Sequence, residues 1–225
     1  MYSHILTSII GSHSNIQDAI RYFENDDIII AIVADGLGSR KMSAYGARLI
    51  CNLMEKELVS KRPPLLSTDI VSPQIWQECL KSKDKDCDEY CTTCSFAFID
   101  KSAKQITVGQ IGDSPIFIKV DCNKVIELRQ EKDFSNITDS LGGNTVSTFR
   151  VQNYHYKDSI KVMVTSDGIG EELESSSLDS LFSYLSSTYQ QYTPKSRSRR
   201  FTKEIKETIG KVNHDDKSAI YIWSI

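Results

Sequence analysis

The sequence contains no apolar run long enough to cross a bilayer, which takes about 20 residues. Its first residues also lack the basic stretch and the long apolar stretch of a signal peptide. A net charge of -3 over 225 residues gives no overall attraction to nucleic acid or anionic lipid, and no stripe of basic and aromatic residues is present. These absences predict a cytoplasmic globular protein, with residues 1–225 in one domain and without nucleic-acid or membrane partners.

Six cysteines occur, yet the companions that a zinc or redox site requires are missing. Cys91 and Cys94 form a CxxC motif, but no histidine and no second CxxC follows nearby to complete a zinc site. A redox pair would stand at the start of a helix, whereas the residues after Cys94 have the composition of a strand. We interpret the cysteines as ordinary free thiols, with a metal or redox role for the CxxC as the alternative.

The spacing of apolar residues predicts an order of strands and helices. Strands are predicted at 5–11, 17–23, 28–35, 94–100, 105–111, 114–120, 124–128, 160–166 and 218–225, and helices at 43–59, after Ser72-Pro73, at 178–190 and at 201–212. The strands between 94 and 128 have hairpin-length connections and predict one antiparallel meander, whereas residues 129–158 are polar and predicted to be irregular. Helices segregated from antiparallel strands indicate an α+β fold.

One segment, residues 195–200, is strongly basic and lies between two predicted helices. We interpret it as a surface loop, because charge runs of this kind are usually solvated. A docking patch for an anionic partner is the alternative.

Two Asp-Gly pairs carry the clearest functional signal. Asp35-Gly36 closes the apolar run that begins at Ile28, and Asp167-Gly168 closes the run that begins at Ile160. Such a pair places a carboxylate where a buried strand leaves the core, and the glycine permits a sharp turn with an accessible carbonyl. Two of these turns can converge in space and bind a hard cation.

Three further acidic positions share this placement at strand ends. They are Asp18, Asp113 in Gly112-Asp113-Ser114, and Asp215 in the pair that precedes the last predicted strand. A single Asp beside a Gly is usually only a turn. Several carboxylates brought together, however, repel one another unless a cation neutralises them. A ligand set made only of oxygen favours Mg²⁺ or Mn²⁺.

The combined pattern resembles the metal-dependent protein phosphatases of the PPM, or protein phosphatase 2C, family. The motifs occur in the family's order: Gln17-Asp18-Ala19, Val33-Ala34-Asp35-Gly36-Leu37-Gly38, Cys91-Thr92-Thr93, Ile111-Gly112-Asp113-Ser114, Thr165-Ser166-Asp167-Gly168 and Asp215-Asp216-Lys217-Ser218-Ala219-Ile220. The resemblance implies a compact bacterial-type domain, a four-layer α-β-β-α sandwich with two central antiparallel sheets. It also implies two Mg²⁺ or Mn²⁺ ions, with a third in many members.

The resemblance also implies roles for individual residues. Asp35 would bridge both ions, and the carbonyl of Gly36 would bind one of them. Asp167 and Asp215 would bind the other ion. Asp35 and Asp167 are therefore the residues on which catalysis is predicted to depend most.

Two more acids complete the implied set. Asp18 would bind a metal directly or through water, and Asp113 would support the third, weaker ion. The reaction implied by the family is attack on the phosphorus by a water that bridges two metals, with no protein nucleophile.

Four positions depart from the family's pattern. His13 stands where many members have a phosphate-binding Arg, and a His approaches an Arg only when it is charged. Cys91 replaces the usual Gly before Thr-Thr, and Pro115 replaces the Arg after Gly-Asp-Ser. Leu37 takes the place of a His found in many eukaryotic members, although many bacterial-type members have Met there. His13 is our candidate phosphate contact, with a plain turn residue as the alternative.

The leading hypothesis is a phosphatase that removes phosphate from phosphoserine or phosphothreonine in a protein substrate. A second hypothesis is a catalytically weak or inactive member that regulates or binds a partner, motivated by the missing Arg and the altered Gly-Asp-Ser-Pro. A third is a phosphatase for a small phosphorylated metabolite, which no residue excludes.

Overall fold

The computed structural model describes residues 1–12, 14–70, 73–81, 86–130, 139–142 and 148–225. The strands in these residues are β1 Tyr2–Ile9, β2 Ala19–Glu24, β3 Ile28–Ala34, β4 Cys94–Asp100, β5 Gln105–Ile111, β6 Ile116–Val120, β7 Ile126–Leu128, β8 Arg150–His155, β9 Ile160–Thr165 and β10 Lys217–Ser224. The helices are α1 Ser43–Val59, α2 Pro73–Lys81, α3 Asp167–Gly170, α4 Leu178–Tyr189 and α5 Pro194–Glu207. His13 and Ser72, which the sequence singled out, lie outside the described residues.

The strands form two antiparallel sheets. One has the order β1-β10-β9-β6-β7, and the other has the order β2-β3-β4-β5-β8. In the first sheet, β1 pairs with β10 along its whole length, from Tyr2 opposite Ser224 to Ile9 opposite Lys217. This pairing brings the segment before β10 next to the turn that follows β1.

The two sheets pack face to face because β3 is apolar on both sides. Ile29, Ala31 and Val33 point into the layer between the sheets, whereas Ile28 and Ile30 point to the helical side. Side chains alternate in direction along a strand, so an unbroken apolar run is what a strand buried on both faces requires.

Helices cover the outer face of each sheet. In the described residues, α1 and α2 pack on the sheet of β3 through residues such as Ile50, Met54 and Trp76. Helices α4 and α5 pack on the other sheet through residues such as Phe182 and Phe201. The predicted α-β-β-α order of layers is confirmed. None of the described helices combines the length and the apolar character that crossing a membrane requires.

The prediction of one meander between 94 and 128 was wrong. Strands β4 and β5 belong to one sheet, and β6 and β7 belong to the other. The chain changes sheets at Gly112, whose φ of 95° lies in the left-handed region that glycine tolerates. Turn chemistry indicated a break here, but not which strand β6 would pair with, and that strand is β9.

The irregular segment predicted at 129–158 contains a strand. β8 pairs with β5 at the edge of its sheet, from Arg150 opposite Gln110 to His155 opposite Gln105. It is mostly exposed or half-buried, so it lacks the apolar alternation by which strands are recognised.

The predicted helix at 201–212 begins earlier and ends earlier, and residues 195–200 are helical rather than a loop. Helix α5 has a proline in its first turn at Pro194. Its buried residues are Arg197, Phe201 and Ile205, at four-residue spacing. Because the first of these is an arginine, the apolar period was hidden in the sequence. The guanidinium carbon of Arg197 lies 5.3 Å from the centre of the Trp223 ring.

The hairpin between β4 and β5 is closed by the carboxylate of Asp100. One carboxylate oxygen accepts hydrogen bonds from the Ser102 N–H at 3.0 Å, the Ser102 hydroxyl at 2.8 Å and the Ala103 N–H at 2.8 Å. Burial acts to raise the pKa of Asp100, but these donors outweigh it and hold the pKa below its ordinary value.

Replacing Asp100 with Asn should lower the free energy of unfolding at neutral pH by about 1–3 kcal/mol, the value of hydrogen bonds to a charged group. The lowered pKa means that this contribution is present above the unfolded pKa of about 3.9 and is lost as pH falls through the folded value. Urea unfolding from pH 7 to below pH 4 should show the gap between wild type and Asp100→Asn closing. Asp26→Asn, at an exposed neighbouring turn, is the control, and a gap that stays constant with pH would contradict the prediction.

Candidate active site

A cavity of about 200 Å³ opens at one end of the sandwich, where the two Asp-Gly turns meet. Its lining residues are Gln17, Asp35, Gly36, Leu37, Gly38, Thr93, Asp113, Asp167 and Asp215. The structure therefore gathers at one cavity all but one of the acids predicted from sequence, together with Gly36. Asp18 is the exception, and His13 lies outside the described residues.

The backbone of Asp35 is held by two neighbouring threonines. The Asp35 N–H donates to the Thr93 hydroxyl at 3.1 Å. The Asp35 carbonyl accepts from the Thr93 N–H at 2.8 Å and from the Thr92 hydroxyl at 2.9 Å. The Thr-Thr pair of the sequence motif thus fixes the peptide that carries the central carboxylate.

Thr93 also connects this turn to the one that carries Asp113. Its hydroxyl lies 3.0 Å from the Ser114 hydroxyl, and the Ser95 hydroxyl donates to the Ser114 carbonyl at 2.6 Å. The turn after β3 and the turn that crosses from β5 to β6 are therefore joined by short, neutral hydrogen bonds. The Cys91-Thr92-Thr93 motif in the sequence did not indicate this role of Thr93.

Gly36 is required by the close approach of α1. A Cβ at this position would lie 2.6 Å from the backbone carbon of Ser43, at the start of that helix. The Gly36 N–H donates to the Gln17 carbonyl at 3.3 Å. This hydrogen bond connects the segment just before β2 to the turn after β3.

Asp167 follows β9 and opens the short helix α3, which the sequence predicted only as a turn. A Cβ on Gly168 would lie 2.0 Å from the Asp216 carbonyl oxygen, so only glycine permits this approach. Asp167 is thereby placed beside the Asp215-Asp216 segment, although these residues are far apart in sequence.

Asp216 holds the two ends of the fold together at the site. Its carboxylate is buried and accepts from the Gly11 N–H at 2.7 Å and the Gln17 N–H at 2.5 Å. Its neighbour Asp215 is exposed and lines the cavity. Asp216 therefore anchors the backbone at Gly11 and Gln17, whereas Asp215 lines the cavity. The sequence alone did not predict the anchoring role of Asp216.

Asp18 is buried next to Asp35 with only 4% of its surface exposed. Among the described residues, neither of its carboxylate oxygens has a hydrogen-bond partner of normal geometry, although the nearby Ser166 and Ser218 hydroxyls act to lower its pKa. Burial is the main cause that raises the pKa of Asp18 to about 7, with a further contribution from Asp216. A buried, unpartnered carboxylate is costly unless something else compensates it.

The pKa values of two carboxylates that face the cavity are raised as well. Burial, and then the charges of Asp18 and Asp167, raise the pKa of Asp35 well above its ordinary value. The pKa of Asp167 is also raised, mainly by burial, and one of its oxygens is buried without a hydrogen-bond partner. The site therefore concentrates negative charge that the protein itself does not balance.

These residues fit a divalent cation by charge and by chemistry. They offer only oxygen ligands, and the unpartnered oxygens of Asp18 and Asp167 are the groups that an ion would satisfy. In the described part of the chain, no three His, Cys, Asp or Glu side chains are gathered tightly enough to hold an ion by themselves. The fit accordingly rests on charge and unsatisfied oxygens, and a carbonyl such as that of Gly36 belongs in the set.

The CxxC motif is not part of this chemistry. All six cysteines lie in the described residues and none forms a disulfide, and Cys91 and Cys94 are buried. Burial raises the pKa of both thiols, which disfavours the reactive thiolate. The interpretation of the cysteines as ordinary thiols stays a prediction.

A family model described as Protein phosphatase 2C matches residues 7–208 of the chain. The chain belongs to the protein phosphatase 2C family. The match spans every acidic turn of the cavity except the one at Asp215. A comparison with curated protein sequences gave no match.

Solved structures with the same fold support this assignment at the level of architecture. The S. agalactiae serine/threonine phosphatase is 19% identical with a TM-score of 0.69, and the alignment covers 99% of each chain. RsbX in complex with magnesium is 15% identical with a TM-score of 0.66, covering 99% of this chain and 94% of that one. The catalytic domain of PstP with two manganese ions is 12% identical with a TM-score of 0.64, covering 99% and 97%.

Replacing Thr93 with Val should lower the free energy of unfolding by about 1–3 kcal/mol, because the Asp35 N–H loses its acceptor while the side-chain shape is kept. Chemical unfolding of the metal-free protein measures this loss. The exposed Thr68→Val is the matched control and should change stability by no more than about 0.5 kcal/mol. Equal effects of the two substitutions would show that the Thr93 hydroxyl does not hold the turn.

Proposed function

We propose that this chain is a Mg²⁺- or Mn²⁺-dependent phosphatase that hydrolyses phosphoserine or phosphothreonine in proteins. The observation that carries the proposal is the convergence of four acidic residues around Asp35, with buried oxygens of Asp18 and Asp167 left without hydrogen-bond partners among the described residues. The fold and family are those of phosphatases. The free cysteines and the family are consistent with a cytoplasmic domain spanning residues 1–225.

In this proposal, the acids divide between the ions by position. Asp35 and the Gly36 carbonyl stand centrally in the cavity, and Asp35 would contact both ions. Asp167 and Asp215 would hold the second ion from the other sheet. The close approach of Gly168 to the Asp215-Asp216 segment places the two chain segments that carry these carboxylates next to each other.

Two acids would play outer roles. Asp18, buried next to Asp35, would bind an ion directly or through water, and Asp113, which also lines the cavity, would support a third ion. When bound, divalent ions supply Lewis acidity and a nucleophile derived from water. The protein contributes a fixed arrangement of carboxylates, which the Thr93 and Asp216 hydrogen bonds prevent from spreading apart.

None of the described residues that line the cavity has a cationic side chain that could contact a phosphate. His13, our candidate phosphate contact, precedes Gln17 on the same connection. This observation supports the second candidate function, a weak or inactive member that binds a partner. Turnover of a small phosphorylated metabolite is the third, and side-by-side rates on phosphopeptides and metabolites distinguish the two substrate classes.

The purified protein should release phosphate from a phosphoserine peptide only when Mn²⁺ or Mg²⁺ is present, and EDTA should stop the reaction. Asp35→Asn and Asp167→Asn should each lower kcat/KM by about 100-fold or more, because each removes a charged ligand of the ions. Asp26→Asn should leave the rate unchanged. Activity that survives EDTA, or that survives both substitutions, would exclude this mechanism.

Asp35→Asn should have opposite effects on stability with and without metal. Without metal it removes a repelled, partly buried charge, so the variant should be at least as stable as wild type in EDTA. With Mn²⁺ at about 100 times its dissociation constant, wild type should gain about 2.7 kcal/mol, and the variant clearly less. Chemical unfolding in both buffers measures the two effects. An Asn variant that is destabilised in EDTA and gains as much from Mn²⁺ as wild type would contradict a metal role for Asp35.

A further inference from the structure

Helix α5 presents one basic face to solvent. Its buried side is formed by Arg197, Phe201 and Ile205, which pack towards the sheet of β1. At 100° per residue, the face directly opposite holds Lys195, Arg199, Lys203 and Lys206, all of them exposed. We call these four residues the α5 basic stripe, and along the helix it is about 16 Å long.

The stripe is largely unneutralised. Of the two acids on α5, Glu204 turns to accept a hydrogen bond from the Tyr189 hydroxyl, and Glu207 lies 3.6 Å from Lys203. Within the described residues, no carboxylate lies within ion-pair distance of Lys195, Arg199 or Lys206. The whole chain has a net charge of -3, so this helix is a local concentration of positive charge on an acidic protein.

The end of the stripe at Lys206 is connected to the candidate active site through the segment before β10. A second cavity, of about 310 Å³, lies at its end and is lined by Lys206, Lys217 and His214, together with residues 9–12. The ammonium of Lys217 donates to the Asp215 carbonyl at 2.6 Å. Asp215 itself lines the active-site cavity, so the basic surface and the acidic site share the segment before β10.

We propose that the α5 basic stripe and the cavity at its end bind an acidic segment of the phosphoprotein substrate, next to the residue that is dephosphorylated. This inference rests on the proposed phosphatase function. Charge complementarity selects the occupant, because an extended chain with several carboxylates can follow a stripe of this length while its phosphorylated residue enters the neighbouring site.

A lipid surface is the less favoured occupant. Helices that lie in a membrane interface insert an apolar face beneath their basic one. The apolar face of α5 is already buried within the protein through Phe201 and Ile205, and these side chains are not available for insertion.

The test compares two phosphoserine peptides that differ only in their flanks, one with Asp and Glu and the other with Asn and Gln. Wild type with Mn²⁺ should have the higher kcat/KM on the acidic peptide, and this preference should fade in about 0.5 M salt because exposed charges are then screened. Arg199→Glu should lower the acidic-to-neutral ratio by about threefold to tenfold. Lys56→Glu, the same charge change at an exposed position on α1, should leave the ratio unchanged.

Two further measurements separate the possible failures. Turnover of the neutral phosphopeptide tests the phosphatase function without the stripe, and fluorescence anisotropy of a labelled oligoglutamate peptide tests the stripe without turnover. Thermal unfolding of Arg199→Glu establishes that the variant is folded. Equal ratios in wild type and Arg199→Glu, an equal loss in Lys56→Glu, or Arg199-dependent binding to phosphatidylserine vesicles without peptide discrimination would each overturn the proposal.

Discussion

The burial of several carboxylates next to one another is the constraint on which the organisation of this protein depends. Asp18, Asp35 and Asp167 are brought close together in surroundings that disfavour charge, and the pKa of each is raised as a result. Without contacts that hold them together, the turns that carry these carboxylates would move apart. The rest of the fold can be understood as the structure that holds them in place.

Among the described residues, the restraint comes from hydrogen bonds that involve no cationic side chain. Thr93 forms hydrogen bonds with the backbone of Asp35 and with the Ser114 hydroxyl. The Asp216 carboxylate accepts hydrogen bonds from two backbone N–H groups in the connection between β1 and β2. Because these contacts carry no opposing charge into the cavity, they fix the positions of the acids without neutralising them. The cavity is left with the negative potential that attracts cations.

The sequence predicted the features that depend on local chemistry. The long apolar run of β3 and the periodic helix α1 were found with nearly correct ends, and the Asp-Gly turns were placed at strand ends. It could not indicate that β5 and β6 belong to different sheets, since strand propensity does not specify a partner. β8 escaped recognition because an exposed edge strand need not alternate.

The misplacement of α5 has a different physical origin. Arg197 occupies a core position that an apolar residue would normally fill, stacked over Trp223 and bonded to backbone carbonyls. A pattern search counts such a residue as polar. The roles of Thr93 and Asp216 were missed for a related reason, because a side chain that positions another through a backbone bond has no signature of its own in a single sequence.

The pairing of β1 with β10 has a consequence for how the site comes into being. Gly11 and Asp216 are separated by 205 residues, yet a hydrogen bond joins them next to Asp215, which lines the cavity. Loops of this length form slowly relative to local hairpins. During synthesis, the turn at Asp35-Gly36 and the hydrogen bonds from Thr93 to Asp35 can form long before β10 leaves the ribosome. A growing chain would then hold an incomplete acidic pocket, and the ability to retain an ion would arrive abruptly, as one of the last events of folding.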